Sequence, residues 1–200
     1  MLAEANFRNE LLDQSQSAEE EDLVILREDL AEEWGSVIGY LECSNEIRDR
    51  EISEQFREAA QDEIEHITRL TRMLAALDQA QAEALRKAGL FWLAGFEHQT
   101  AVTPVITEGL SQAEMENNLR PGKVSSKRYL ETDDRSLECL RNAIRDELKA
   151  INVYQRQVRE TANRMVQNTL IIIMNQKKKH VAVFTDSLQN LLREYRLPLG

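Results

Sequence analysis

Proline and glycine are scarce in this sequence, with three and seven residues among 200. Few residues are therefore available to break helices. The abundance of Ala, Leu, Glu, Gln and Arg favours an all-α chain. Cysteine is scarcer still. Cys43 and Cys139 stand far apart with no C-x-x-C motif, so they read as separate reduced thiols of a cytoplasmic protein. Positive charge is in deficit. A net charge of −10 and a pI near 4.9 argue against a general nucleic-acid surface. Long apolar runs are missing too. Leu90–Phe96 and Leu170–Met174 are far too short to span a bilayer, so no membrane partner is expected. The first residues are polar and acidic, without the pattern of a signal peptide.

What is present is a chain of one domain's length, with 42% apolar and 30% charged residues, enough for a globular core. Within it, Glu63 and His66 stand three apart in a segment of helical character. Three residues turn a helix by about 300°, so both side chains project from one face and can bind one metal ion. Alone, Glu-x-x-His is a weak signal in a chain so rich in Glu.

The signal recurs 114 residues later without a gap. Glu33 falls on Glu147, Tyr40 on Tyr154 and His66 on His180. Leu23, Leu26 and Arg27 fall on Leu137, Leu140 and Arg141. Glu46, Arg50, Thr71, Leu74 and Leu77 also meet identical residues. Eleven identities over the 55 positions 23–77 exceed several-fold the roughly one in seventeen expected of random pairs. The chain therefore contains an internal repeat. One mismatch matters: Glu63 falls on Lys177.

Residues 1–19 read as a short helix or frayed arm, and 20–200 as one bundle. Its parts are a first repeat (20–78), a crossover (79–134) and a second repeat (135–194). The first long helix should run from Glu20 to Ile47, with Leu23, Leu26, Leu30, Val37, Tyr40, Leu41 and Ile47 as its apolar stripe. Glu33 lies within that stripe, where an unpaired carboxylate would cost several kcal/mol. The second helix, about Ile52 to Asp78, carries Glu63 and His66 among Phe56, Ala59, Leu70 and Met73. The third, about Asp134 to Thr161 with Ser136 as a possible cap, carries Glu147 and Tyr154. The fourth, about Ala162 to Glu194, carries Lys177 and His180. In the crossover, Gln79–Lys87 continues the helical pattern, and Ala88–Gln99 is apolar enough to pack on the bundle or on a second copy. Val105–Asn118 reads as a short helix, Arg120-Pro121-Gly122 as a turn and Lys123–Arg128 as a polar loop. His98 beside Glu97 reads as structural or surface, and Pro198 marks an unstructured end.

Two helix pairs that each deliver a Glu from one helix and an x-x-His from the next resemble the ferritin-like family of di-iron carboxylate proteins, such as rubrerythrins and bacterioferritins. The resemblance covers residues 20–194 and implies a four-helix bundle of two hairpins with a long crossover. It also implies that Glu33, Glu147, His66 and His180 are terminal metal ligands and that Glu63 is one of two bridging carboxylates. Lys177 stands where the second bridging Glu belongs. Tyr40 and Tyr154 would be core tyrosines or groups that flank the metal ligands. The Cys pairs that hold a rubredoxin-like iron in rubrerythrins are missing.

The lysine changes the charge balance. Three carboxylates and one ammonium leave −2 if both histidines are neutral, enough for one divalent ion and not two. Unit charges about 4 Å apart interact by roughly 4 kcal/mol at an effective dielectric near 20, so the ammonium opposes a second metal. Two functions follow. One is a ferritin-like protein holding iron or another divalent metal, one ion rather than two, with oxidoreductase or iron-handling chemistry. The other is a non-catalytic structural or interaction protein with a lysine–carboxylate cluster and no metal. Whether the chain is an enzyme, and which residues would be catalytic, stays open. Metal ions and a second copy of the chain, as a homodimer, are the expected partners.

Overall fold

The computed structural model describes residues 2–95 and 126–195, with side chains over 19–95 and 134–193. The described chain is all-helical, with no strand. Its elements are α1 (Leu2–Glu46), α2 (Arg50–Leu77), α3 (Gln79–Lys87), a 3₁₀ turn (Phe91–Ala94), α4 (Ser126–Glu160) and α5 (Arg164–Tyr195).

Local chemistry sets the helix ends. Asp49 caps α2 by accepting from Ile52 N, and Asp78 caps α3 by accepting from Gln81 N. Asn163, the repeat counterpart of Asp49, accepts from Met165 N and Val166 N at the start of α5. Each such cap contributes about 1 kcal/mol. In consequence α1 and α4 end, and α2 and α5 begin, at positions one repeat length apart.

α1 packs along α2 and α4 along α5, while α2 meets α5 and α1 approaches α4 more sparsely. Two apolar clusters fill the interior. Tyr40, Phe56, Leu140 and Phe184 anchor one; Leu26, Leu70, Leu170 and Ile173 anchor the other. The rings of Phe56 and Phe184 stack at 4.8 Å, and Tyr40 meets Phe184 edge-on. On each long helix the candidate site residues fall between the stretches that feed these clusters. Apolar plugs thus lie on both sides of the polar centre.

Several expectations change. α1 begins at Leu2, so the expected arm runs into the helix without a break. α4 begins at Ser126, which puts residues 126–128 of the expected polar loop in a helix. Ser136 is then a buried mid-helix residue and no cap. Leu41, expected in the core stripe, is 44% exposed. α3 is a separate helix, because Asp78 breaks the pattern. After it, Phe91 stacks under the Arg86 guanidinium, and Ala94 is buried with its carbonyl accepting from Arg72. Gly95, at φ +70°, passes so close to Arg72 that a side chain there would collide with it. Cys43 and Cys139 form a disulfide, which corrects their reading as free thiols. Their Cα atoms are 6.0 Å apart where α1 and α4 run side by side, a separation that suits a disulfide. The cysteine argument for a reducing compartment therefore falls. The stretches Phe96–Gln99 (with Glu97 and His98), Val105–Asn118 and Arg120-Pro121-Gly122, and the end at Pro198, lie outside the described residues. No helix among the described residues is long and apolar enough to cross a membrane.

Candidate metal centre

Glu33, Glu63, His66, Glu147, Lys177 and His180 converge between the two apolar plugs. All are buried, with Glu33, Glu63 and His66 at 0% exposure. The ligand atoms fall into two overlapping groups. Glu33, Glu63 and His66 form one, and Glu63, Glu147 and His180 the other, with the atoms of each within 4.8 Å of one another. Groups of this composition could hold a metal ion.

Lys177 occupies the space between them. Its Nζ lies 3.0 Å from Glu63 Oε2, 3.2 Å from Glu33 Oε2 and 3.5 Å from Glu147 Oε2. Burial lowers the ammonium's pKa, but the three carboxylates outweigh it and hold the lysine above its ordinary value. One oxygen of every carboxylate in the centre thus already faces a cation.

Each tyrosine serves the opposite half. Tyr40 donates to Glu147 Oε1 at 2.6 Å, and Tyr154 donates to Glu33 Oε1 at 2.5 Å. Burial and the adjacent carboxylates raise both phenols well above their usual range, so both remain donors. Although each tyrosine follows a Glu on its own helix, its hydroxyl reaches across the cleft between α1 and α4.

The histidines are likewise reciprocal. His66 Nδ1 lies 2.7 Å from Glu63 and 3.2 Å from Glu33, with Nε2 3.0 Å from Gln176 Oε1. His180 Nδ1 lies 2.8 Å from Glu147 and 3.4 Å from Glu63, with Nε2 3.0 Å from Asp62. Both nitrogens of each ring face acceptors, which favours the doubly protonated form. Burial pulls each ring down, but the carboxylate contacts outweigh it, raising His66 to about 9 and His180 to about 10. Burial raises the Glu63 carboxyl, yet Glu33, both histidines and Lys177 bring it well below the usual carboxylate range. Burial and Glu63 raise Glu33, but Tyr154 donates to one of its oxygens, and Lys177 and His66 converge on the other.

The centre thus sets Glu33, Glu63 and Glu147 against Lys177 and two histidines held toward their protonated form, so its net charge is less negative than the −2 that neutral histidines would leave. A pair of divalent metals does not fit this donor set. Lys177 holds the oxygens that would bridge them, and both imidazoles carry protons. One ion fits the distances of either group, Glu33, Glu63 and His66 or Glu63, Glu147 and His180, provided it displaces that histidine's proton and the ammonium.

Sequence reasoning missed two polar pairs. Asp62 and Gln176 share one repeat position, just ahead of Glu63 and Lys177, and each binds the histidine of the other half. A polar residue in that place in both repeats was the available signal. Asp29 and Gln157 form a buried pair, joined by Gln157 Nε2 donating to Asp29 Oδ1 at 2.9 Å. Asp29 lies one turn before Glu33 on the same face, which was its signal. Gln157 had none, since its counterpart is Cys43.

A cleft of about 980 Å³ separates α1 from α4 and reaches Glu33, Glu147 and Lys177, with the disulfide among its lining residues. Comparison with protein-family models, with curated proteins and with solved structures finds no match for the chain.

Proposed function

We propose that this chain is a ferritin-like four-helix bundle of two repeated hairpins in which Lys177 replaces the metal pair, and that its role is non-catalytic, as a structural or interaction protein. The contact of Lys177 Nζ with all three central carboxylates carries this reading. In the family the chain resembles, metal ions neutralise the central carboxylates; here an ammonium and two imidazolium rings do so. The reciprocal Tyr40–Glu147 and Tyr154–Glu33 bonds support the two-hairpin symmetry. Dimerisation through Ala88–Gln99 belongs to the same reading: Trp92 is 47% exposed while Ala94 is buried.

A second reading keeps one iron or other divalent ion on Glu33, Glu63 and His66, the half that retains the Glu-x-x-His pair, whose ligand atoms lie within 4.8 Å of one another. Elemental analysis of the purified protein separates the two. Well under one ion per chain is expected; one ion per chain establishes the second reading.

The substitution Lys177→Glu sharpens the test. It removes the cation and supplies the fourth carboxylate in one step. Isothermal titration with manganese should then show stoichiometry rising toward two per chain, with the bound metal stabilising the variant by mass action. Equal stoichiometry in wild type and variant would show that Lys177 is not what keeps metal out.

A further inference from the structure

The cleft between α1 and α4 contains two features that the ionic centre does not use. Gly35 and Gly39 lie on its α1 wall, one turn apart in mid-helix. Glycine there costs roughly 1 kcal/mol relative to alanine. No close packing repays it: a Cβ added at either position meets nothing within 4 Å. Their repeat counterparts are Lys149 and Val153, so only the first half leaves this space open.

The second feature is a pair of orphaned acceptors. Asp29 and Gln157 are each 3% exposed and line the same cleft. Their mutual bond uses Asp29 Oδ1 and Gln157 Nε2, and it leaves Asp29 Oδ2 and Gln157 Oε1 buried without any partner. Such groups ordinarily find a donor. Burial, partly offset by the Gln157 bond, pushes Asp29 up to about 7, as happens to a buried carboxylate without a cation beside it.

The rim has the same bias. Among the described residues, its cations Arg135, Lys149 and Arg156 are ion-paired with Glu46 and Glu138, Asp146, and Glu160 respectively. Glu28, Glu32 and Glu42, on the α1 side of the cleft, form no ion pair among the described residues. The unbalanced charge is negative.

We propose that this cleft binds an aliphatic amine, with its ammonium donating to Asp29 Oδ2 and Gln157 Oε1 and its alkyl chain lying along Gly35 and Gly39 between α1 and α4. The distance along α1 from Asp29 to Cys43 is about 20 Å at 1.5 Å per residue, so an extended chain fits better than a compact one. On the α4 side Ala150 and Val153 offer small apolar surface between the charged residues of the rim. The ammonium contacts are to Asp29 and Gln157, which are not among the six central residues, so metal content tests the one reading and amine binding the other.

Calorimetric titration with hexylamine, hexanol and hexanoate tests it on the full chain. Wild type should bind hexylamine saturably below about 10 mM and bind the alcohol and the acid at least about tenfold more weakly. Asp29→Asn should lose about tenfold in amine affinity, and Gly35→Leu, about 9 Å along α1 from Asp29 and within reach of a hexyl chain, should block the chain; circular dichroism establishes that each variant is folded. A second measurement needs no variant. The Asp29 side-chain carbon resonance of wild type should shift on adding hexylamine and not on adding hexanol. In the competing arrangement, protonated Asp29 donates to Gln157 Oε1 and closes an acid–amide ring without a ligand. A carbon resonance that hexylamine leaves unmoved would establish that ring and overturn the proposal. So would equal amine affinity in wild type and a folded Asp29→Asn, or no binding at all.

Discussion

Glu63 and Lys177 occupy one position in two repeated helices and have opposite charge. Around them the halves are nearly interchangeable: each His faces the Glu of its own half and a polar side chain of the other, and each Tyr binds the opposite Glu. The sequence repeat accounts for the reciprocity, because like positions on repeated helices meet like neighbours. The charge is set by that one position. A second Glu there would give four carboxylates and a centre dependent on external cations. With Lys177 the centre is neutralised from within, and the halves differ in what they could still bind.

The largest effect should come from removing that ammonium. Lys177→Met keeps much of the side-chain volume but leaves three buried carboxylates facing two imidazolium rings. Breaking a buried ionic cluster by deleting one partner costs about 3–5 kcal/mol. Urea denaturation should show a loss of that order, and adding Glu63→Gln should recover much of it. A loss within experimental error would mean that Lys177 lies elsewhere.

The ends of the cleft offer the next contrast. At one, Cys43 and Cys139 are covalently joined; at the other, Asp29 and Gln157 share a hydrogen bond. The repeat relates these ends, since Cys43 corresponds to Gln157 and Asp29 to Ala143. The disulfide links residues 96 apart in sequence; a cross-link typically contributes about 2–4 kcal/mol. The double substitution Cys43→Ala with Cys139→Ala should cost that much, and dithiothreitol should lower the melting temperature of wild type. A melting curve unchanged by reductant would argue against the cross-link.

The repeat made much of this legible from sequence. Helix ends expected at Ile47 and Thr161, and found one residue earlier at Glu46 and Glu160, followed from apolar spacing, and the convergence of the six central positions from the register of one half on the other. What escaped depends on neighbours across helices, to which no single helix's periodicity reports. The disulfide is the clearest case: its two cysteines are not repeat counterparts, and only the side-by-side approach of α1 and α4 joins them. Ser136 was misread as a cap because α4 starts at Ser126, eleven residues before Leu137 opens the apolar stripe. Gln157 hid because its counterpart is a cysteine.

The histidines give the centre a pH dependence with a definite sign. Both have folded pKa values raised above the ordinary 6.5, His66 to about 9 and His180 to about 10. Their contribution is fully present below pH 6.5 and is lost as pH rises through about 9 and 10, at up to ~1.4 kcal/mol per pH unit for each. Asp29, raised to about 7, adds a loss between the ordinary Asp value and neutrality. Glu63 acts oppositely: its folded pKa is depressed, so its contribution is present above its ordinary 4.5 and is lost toward acid. Urea midpoints should therefore fall from about pH 6 to pH 10. A midpoint that rises over that range would mean that the imidazoles are neutral in the folded protein.

The smallest contrast separates the two tyrosines. Both donate to a buried carboxylate, and a hydrogen bond to a charged group contributes about 1.5–3 kcal/mol. Their acceptors differ in what remains once the hydroxyl is gone. Glu147 Oε1, which accepts from Tyr40, also accepts from His180 Nδ1 at 2.8 Å. Among the described residues Glu33 Oε1 accepts from Tyr154 alone, because Lys177 and His66 approach the other oxygen. Tyr154→Phe therefore strips a buried oxygen of its only donor, whereas Tyr40→Phe leaves one in place. The first should cost about 1 kcal/mol more than the second. Chemical denaturation of the two variants under one set of conditions measures the difference. Equal losses would show that His180 does not support Glu147, and the two halves would then be more alike in energy than their bonds imply.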